Sequence, residues 1–265
     1  MIAASHERER AVDRPQRETV VVAAEYALSG DLRFLSHHDE VRMLGRALVR
    51  ADWPLAYSQG FNPQPRIALP LPRAVGVASR CQCAIITIED AATAAERLYE
   101  SLAATFPAGA ELLRVIFGLP SRKLHARAVE YAVTLPTPPA RADVQRLLAS
   151  DGIIVDRGYG PHRSTRRVNI RPHIESLHVT GSLLRMRLTF DEQRTTRPEE
   201  ILAALKLPVK RVAPLIERTR VEWDLDLTAC RRWPPTTERN TIGQEENHQE
   251  DDGQEGRSHQ ENHDA

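Results

Sequence analysis

Only three cysteines, Cys81, Cys83 and Cys230, occur in the 265 residues. That is too few for a disulfide scaffold and fits a reducing compartment, so a cytoplasmic location is expected. No C-x-x-x-C-x-x-C occurs, which excludes the three-cysteine cluster motif of radical enzymes. G-x-G-x-x-G, phosphate-loop, G-x-S-x-G and H-E-x-x-H patterns are also missing. Cys81 and Cys83 form C-x-C and Cys230 lies far off. Two thiols do not complete a tetrahedral zinc site, so no metal and no cofactor is expected. No apolar run approaches the roughly 18 residues a membrane span needs. Met1 to Glu18 is charged and has no apolar core of a secretory leader, so none is expected. Charge of one sign is lacking overall, with 36 basic and 36 acidic residues. The balance hides an asymmetry, because residues 236–265 hold nine acids against two arginines. A basic body is thus followed by an acidic, polar end.

The distribution of apolar residues divides the chain into four parts. Residues 1–17 and 234–265 are charged or polar with little to bury, and are expected to be disordered. Between them, residues 18–120 and 121–233 each alternate strands with helices. The first half reads as a strand over Thr19–Leu28, a helix over Asp39–Asp52 and a strand over Cys83–Ile88. A helix over Thr93–Thr105 and a strand over Leu112–Phe117 complete it. The second reads as a strand over Val129–Leu135, a helix over Ala140–Ser150 and a hairpin of Ile174–Val179 with Leu183–Phe190 about Gly181. A helix entered at Pro198 and a strand over Ile216–Trp223 follow. This order predicts an α+β fold of two ferredoxin-like halves, antiparallel sheets with helices on one face. The other face is left open for a ligand or partner.

Chemistry concentrates in Arg33–Arg66. Ser36 with Asp39 three residues on fits a helix N-cap, favoured over a catalytic serine. Arg42, Arg46 and Arg50 fall at i, i+4, i+8 and form a stripe whose guanidinium forks suit phosphate or carboxylate, unless it is only a solvated helix face. The run Trp53–Arg66, W-P-L-A-Y-S-Q-G-F-N-P-Q-P-R, is a stiff loop. Its aromatic, amide and arginine groups suit a planar polar ligand, unless Tyr57 and Phe61 simply plug the core. A second basic stretch, Arg157–His173, contains Arg157, Arg163, Arg166, Arg167 and Arg171 with no acid, an electrostatic footprint for RNA or another polyanion. A solvated loop that balances the acidic end is the competing reading.

The motifs R-F-L-S-H-H-D at Arg33–Asp39, the Arg42/Arg46-Ala47/Arg50-Ala51 helix, the loop from Pro54 through Tyr57-Ser58-Gln59-Gly60-Phe61-Asn62-Pro63 to Pro65, and Gly76 through Ser79 occur in order at compatible spacing. In this the chain resembles the radical-SAM-linked domain proteins, a family of unknown function. Val168-Asn169-Ile170-Arg171-Pro172 is similar to the family's weaker second motif. Two positions depart from that pattern: Gln64 stands where the family has histidine, and Gln82 near its glutamate. His38 and Glu40 replace apolar residues usual in the helix. The resemblance implies an accessory protein, fused to or encoded beside a radical SAM partner, that recognises a substrate such as RNA. Arg33, Ser36, His37, Asp39, Arg42, Arg46, Arg50, Tyr57, Ser58, Gln59, Gly60, Phe61, Asn62, Pro63 and Arg66 are the expected substrate-binding residues. The alternatives are an RNA-modifying enzyme with Asp39 or His37 as its reactive group, and a plain RNA-binding or ribosome-associated protein.

Overall fold

The computed structural model describes residues 18–89, 94–120, 123–159, 164–191, 194–227 and 230–234. The expected lead over 1–17, Arg163 and nearly all of the expected tail lie outside the described residues. The chain runs β1 (Val20–Leu28), α1 (His37–Arg50), β2 (Ile67–Ala68), β3 (Ala78–Ile88), α2 (Ala95–Ala103) and β4 (Ala110–Phe117). It continues with β5 (Ala126–Thr134), α3 (Arg141–Leu148), β6 (Ile154–Tyr159), β7 (Ser164–Asn169), β8 (Ile174–Thr180) and β9 (Leu183–Thr189). It closes with α4 (Pro198–Ala204), α5 (Val209–Val212), β10 (Ile216–Trp223) and β11 (Arg231–Trp233).

Nine strands form one large, mostly antiparallel sheet in the order β11-β4-β1-β3-β10-β5-β9-β8, with β2 on the side of β3. Within the first half the order is β4-β1-β3-β2, and within the second β10-β5-β9-β8, every neighbouring pair antiparallel. The halves join where Glu217 and Arg218 of β10 run parallel to Ala78 and Ser79 of β3.

Alternation along each strand sends one row of side chains under the helices. Val22, Ala24, Tyr26 and Leu28 of β1 meet Leu44, Ala47 and Leu48 of α1 and Leu98 and Leu102 of α2. Val129 and Val133 of β5 and Leu184, Met186 and Leu188 of β9 meet Val144, Ile201 and Leu202 of α3 and α4. Each such Val, Leu, Ile or Met side chain contributes about 1.5–3 kcal/mol by leaving water. The opposite face differs between the halves. In the first, Ala23, Cys83, Ile85 and Ile116 are covered by Trp223 at the end of β10 and by Leu225, Leu227 and Cys230, from the segment after it that returns to pair β11 with β4. In the second half no described residue covers that face, where His178 and Arg185 are exposed.

Two sequence expectations are revised. β3 begins five residues before Cys83, because Ala78–Gln82 is held between β1 and β10 although its Ser-Arg-Cys-Gln run has no apolar signature. Within Arg157–His173, whose first half reads in the sequence as a flexible loop, Arg157–Tyr159 ends β6 and Ser164–Asn169 is β7, the two paired antiparallel as a small separate sheet, while 160–163 lie outside the described residues. Val155 and Val168 of this sheet pack on the second core.

Glu25 of β1 lies under this covering segment, paired with Arg114 at 2.7 Å. Burial pushes its carboxyl up more than Arg114 and Arg232 pull it down. The folded state therefore prefers the protonated form. That preference is fully present below the ordinary carboxyl range and is lost as pH rises through the raised value. Glu25→Gln is expected to unfold at higher urea than wild type at neutral pH, with the gap closing in acid. A variant weaker than wild type at neutral pH would show that the Arg114 pair outweighs the burial.

Candidate functional site

The face predicted from Arg33–Arg66 starts at the entry to α1. Ser36 caps the helix: its Oγ accepts from Asp39 N at 3.2 Å and donates to Asp39 Oδ2 at 2.7 Å. Asp39 also takes Arg42 at 3.3 Å. The Ser36 hydroxyl, then the Arg42 guanidinium, hold its carboxyl below the ordinary range, so it stays ionised. His37 and His38 are exposed beside it, their rings edge-to-face at 5.5 Å. The helix ends where Asp52 adopts φ 54°. Trp53 N then donates to Leu48 O and Asp52 N to Val49 O, a reversal that satisfies the last carbonyls. Trp53 is thereby turned inward, where its Nε1 donates to Leu98 O at 3.1 Å.

From this anchor the chain runs outward as a stitched loop. Ala56 N donates to Thr87 O, Thr87 N to Arg66 O and Arg66 N to Ala56 O, which ties the loop base to β3. Further out, Ser58 N donates to Gln64 O at 2.8 Å, Gln64 N to Ser58 Oγ at 3.0 Å and Gln64 Nε2 to Asn62 Oδ1 at 3.2 Å. Gly60 sits at φ 131°, a region that glycine enters without strain. The tip of Gln59, Gly60, Phe61, Asn62 and Pro63 is exposed, and Phe61 is 113% exposed, so it plugs no core. Tyr57 is 42% exposed at the base.

The stripe on α1 lies on the same flank. A Cβ on Gly45 would meet Ile67 Cδ1 at 3.8 Å, so β2, which the loop feeds, abuts the helix there. Helical geometry places Arg42, Arg46 and Val49 outward from Gly45. The arginines differ in their partners. Arg42 is paired with Asp39, and Arg50 Nη2 donates to Thr105 O at 2.9 Å. Arg33 lies off this flank, donating to Pro214 O at 3.0 Å and tying the first half to the second. Among the described residues, the side chains of Arg46 and Arg66 make no hydrogen bond or ion pair.

The second basic stretch is divided. Arg157 grips Glu200 through two hydrogen bonds of 2.7 Å and donates to Thr195 O. Arg171 donates to Leu148 O, at the end of α3, and to Ile174 O. Arg166 and Arg167 on β7 are exposed. Since the Arg157–Glu200 pair is largely buried, Arg157→Ala is expected to cost about 1.5–3 kcal/mol in urea unfolding. A loss under 0.5 kcal/mol would mark Arg157 as a surface charge.

Beneath α1 lies a polar cluster that the sequence did not disclose. Glu40, 1% exposed, accepts from Tyr26 Oη at 2.6 Å and from Gln82 Nε2, and faces Arg73 Nε at 3.3 Å. Arg73 in turn donates to the carbonyls of Arg33, Leu32, Leu35 and Val77. Burial and Glu40 push the Tyr26 hydroxyl well up, and burial pulls Arg73 down. Gln82 is therefore the amide partner of a carboxylate on α1. Isolated charges in a mixed sequence gave no signal that Glu40 and Arg73 would meet. Cys81 and Cys83 lie on β3, the latter buried in the covered face, and burial pushes both thiols up. Among the described residues no group of three or more His, Cys, Asp or Glu could hold a metal ion, and no helix is long and apolar enough to cross a membrane.

An α+β architecture with one large, mostly antiparallel sheet and an exposed motif loop thus defines the class of protein. The chain belongs to a family of uncharacterized proteins conserved in bacteria (DUF2344), whose profile matches residues 22–198. No curated protein matches it. Among solved structures, one described as the crystal structure of a Cbf5-Nop10-Gar1 complex contains a chain similar over 78% of this one, at 12% identity and a TM-score of 0.37. The present chain spans about half of that chain's length, 51%.

Proposed function

We propose that this protein is a non-catalytic recognition module that binds single-stranded RNA on the α1–loop face and presents it to a separate radical SAM enzyme. The observation that carries the reading is Phe61, wholly exposed at the tip of a hydrogen-bonded loop, with Arg46 and Arg66 left without partners among the described residues. An exposed ring on a braced loop is arranged for stacking on a base, and the guanidinium groups of Arg46 and Arg66, on the flank that the loop and α1 share, suit phosphate. The radical SAM partner rests on the motif resemblance alone. Each half is read as a ferredoxin-like unit, supported by the repeated antiparallel order with the first strand inside and the last beside it. A reaction on Asp39 is less favoured, because its carboxylate is occupied by Ser36 and Arg42 and kept ionised. The test is RNA capture by Phe61→Ala and Arg46→Ala at unchanged melting temperature.

A further inference from the structure

The open face of the second half carries a depression of about 610 Å³. Its floor follows from register. Glu217 on β10 pairs with Ala132 on β5, Ala132 with Arg185 on β9, and Arg185 with His178 on β8. In this row across four strands the short Ala132 makes the dip, with Glu217 on one side and Arg185 and His178 on the other.

The charges around it are unevenly satisfied. Arg80 is paired with Glu217 at 2.8 Å. Arg187, two residues from Arg185 on the same face, is saturated by Glu130, Glu175 and Glu222 at 2.9, 2.8 and 2.6 Å. Arg220 stands 4.0 Å from Glu130. Arg185 is exposed and, among the described residues, has no carboxylate, and the residue directly across from it is an imidazole. Two cation-capable groups opposite one another on a sheet repel when both are charged, and an anion between them removes that repulsion. Ser176 and Thr134 add hydroxyls to the rim, while Leu183 and the exposed Leu215 supply an apolar side.

We infer that this depression is a binding site for a nucleoside phosphate, with the phosphate between Arg185 and His178 and the ring over Ala132 against Leu183 and Leu215. The guanidinium fork matches phosphate geometry. The pit is distinct from the α1–loop face and does not depend on the RNA reading. The phosphate can come from a free nucleotide or from an RNA strand crossing the sheet.

Calorimetric titration of the full chain with uridine and adenosine monophosphates, alongside anisotropy with a labelled single-stranded RNA, separates the two sources. Losing one charge-assisted contact predicts roughly ten-fold or greater weakening for Arg185→Ala. His178→Ala should weaken capture in the same sense, and Ala132→Leu should block the pit. Melting temperatures should hold, since Arg185 and His178 are exposed. Phe61→Ala should leave monophosphate binding unchanged. Weakening confined to the monophosphates assigns a nucleotide site, and weakening of RNA as well assigns a strand path. The inference is overturned if wild type takes up neither probe, or if Arg185→Ala and Ala132→Leu both bind like wild type.

Discussion

Arg73→Ala is expected to lower the unfolding free energy by about 3–5 kcal/mol, the cost of leaving a buried charge without its partner. Glu40 and Arg73 have side chains 2% and 1% exposed, so water cannot replace either one. The loss reaches beyond the ion pair. Arg73 also holds the carbonyls of Leu32, Arg33 and Leu35, the turn that delivers Ser36 to the start of α1. A double change, Glu40→Leu with Arg73→Met, removes both charges and should recover part of the loss. It should not recover all, since those carbonyls and the Tyr26 hydroxyl would still lack partners. Urea unfolding of the two variants tests this. A loss below 1 kcal/mol in Arg73→Ala would mean that the cluster braces nothing.

The second large effect is on binding rather than on folding. Removing an aromatic side chain from a stacked base costs about 1–3 kcal/mol, so Phe61→Ala should weaken single-stranded RNA by roughly five- to one-hundred-and-fifty-fold. Arg46→Ala should weaken it less and reduce the salt dependence of the affinity by about one phosphate contact. Both side chains are exposed, so the melting temperature should scarcely move, in keeping with about 0.5 kcal/mol for surface changes.

The apolar rhythm of the sequence carried most of the architecture. The periods of α1, β8 and β9 are strong because each element buries one face only, whereas β1 buries Ala23 on the face opposite Val22 and Ala24, and β8–β9 turns at Gly181, which takes φ 56°. What the rhythm could not show was pairing at a distance. β2 has two residues and β11 three, and each exists because a neighbouring strand offers an edge. The β6–β7 pair was obscured by its arginines, since the apolar contribution comes from Val155 and Val168 alone. For the site, the Ser36 cap and the stiffness of Trp53–Arg66 were legible, because capping and turn chemistry are local. That Phe61 points outward was not, because an isolated aromatic reads equally well as core. The partners of Arg33, Arg50, Arg157 and Arg171 were equally invisible, since all four donate to groups remote in sequence or to backbone carbonyls. Arg185 and His178 carried no sequence signal of their own as a pair, because only the register of β8 with β9 places them opposite one another.

The most direct measurement is the affinity of the Phe61→Ala/Arg46→Ala double variant for a labelled single-stranded RNA, read by anisotropy beside wild type at matched low salt, with melting curves for both. The account predicts a folded protein with an unshifted melting temperature whose RNA affinity has fallen by at least the Phe61→Ala factor. A folded double variant that binds RNA as wild type does would contradict it.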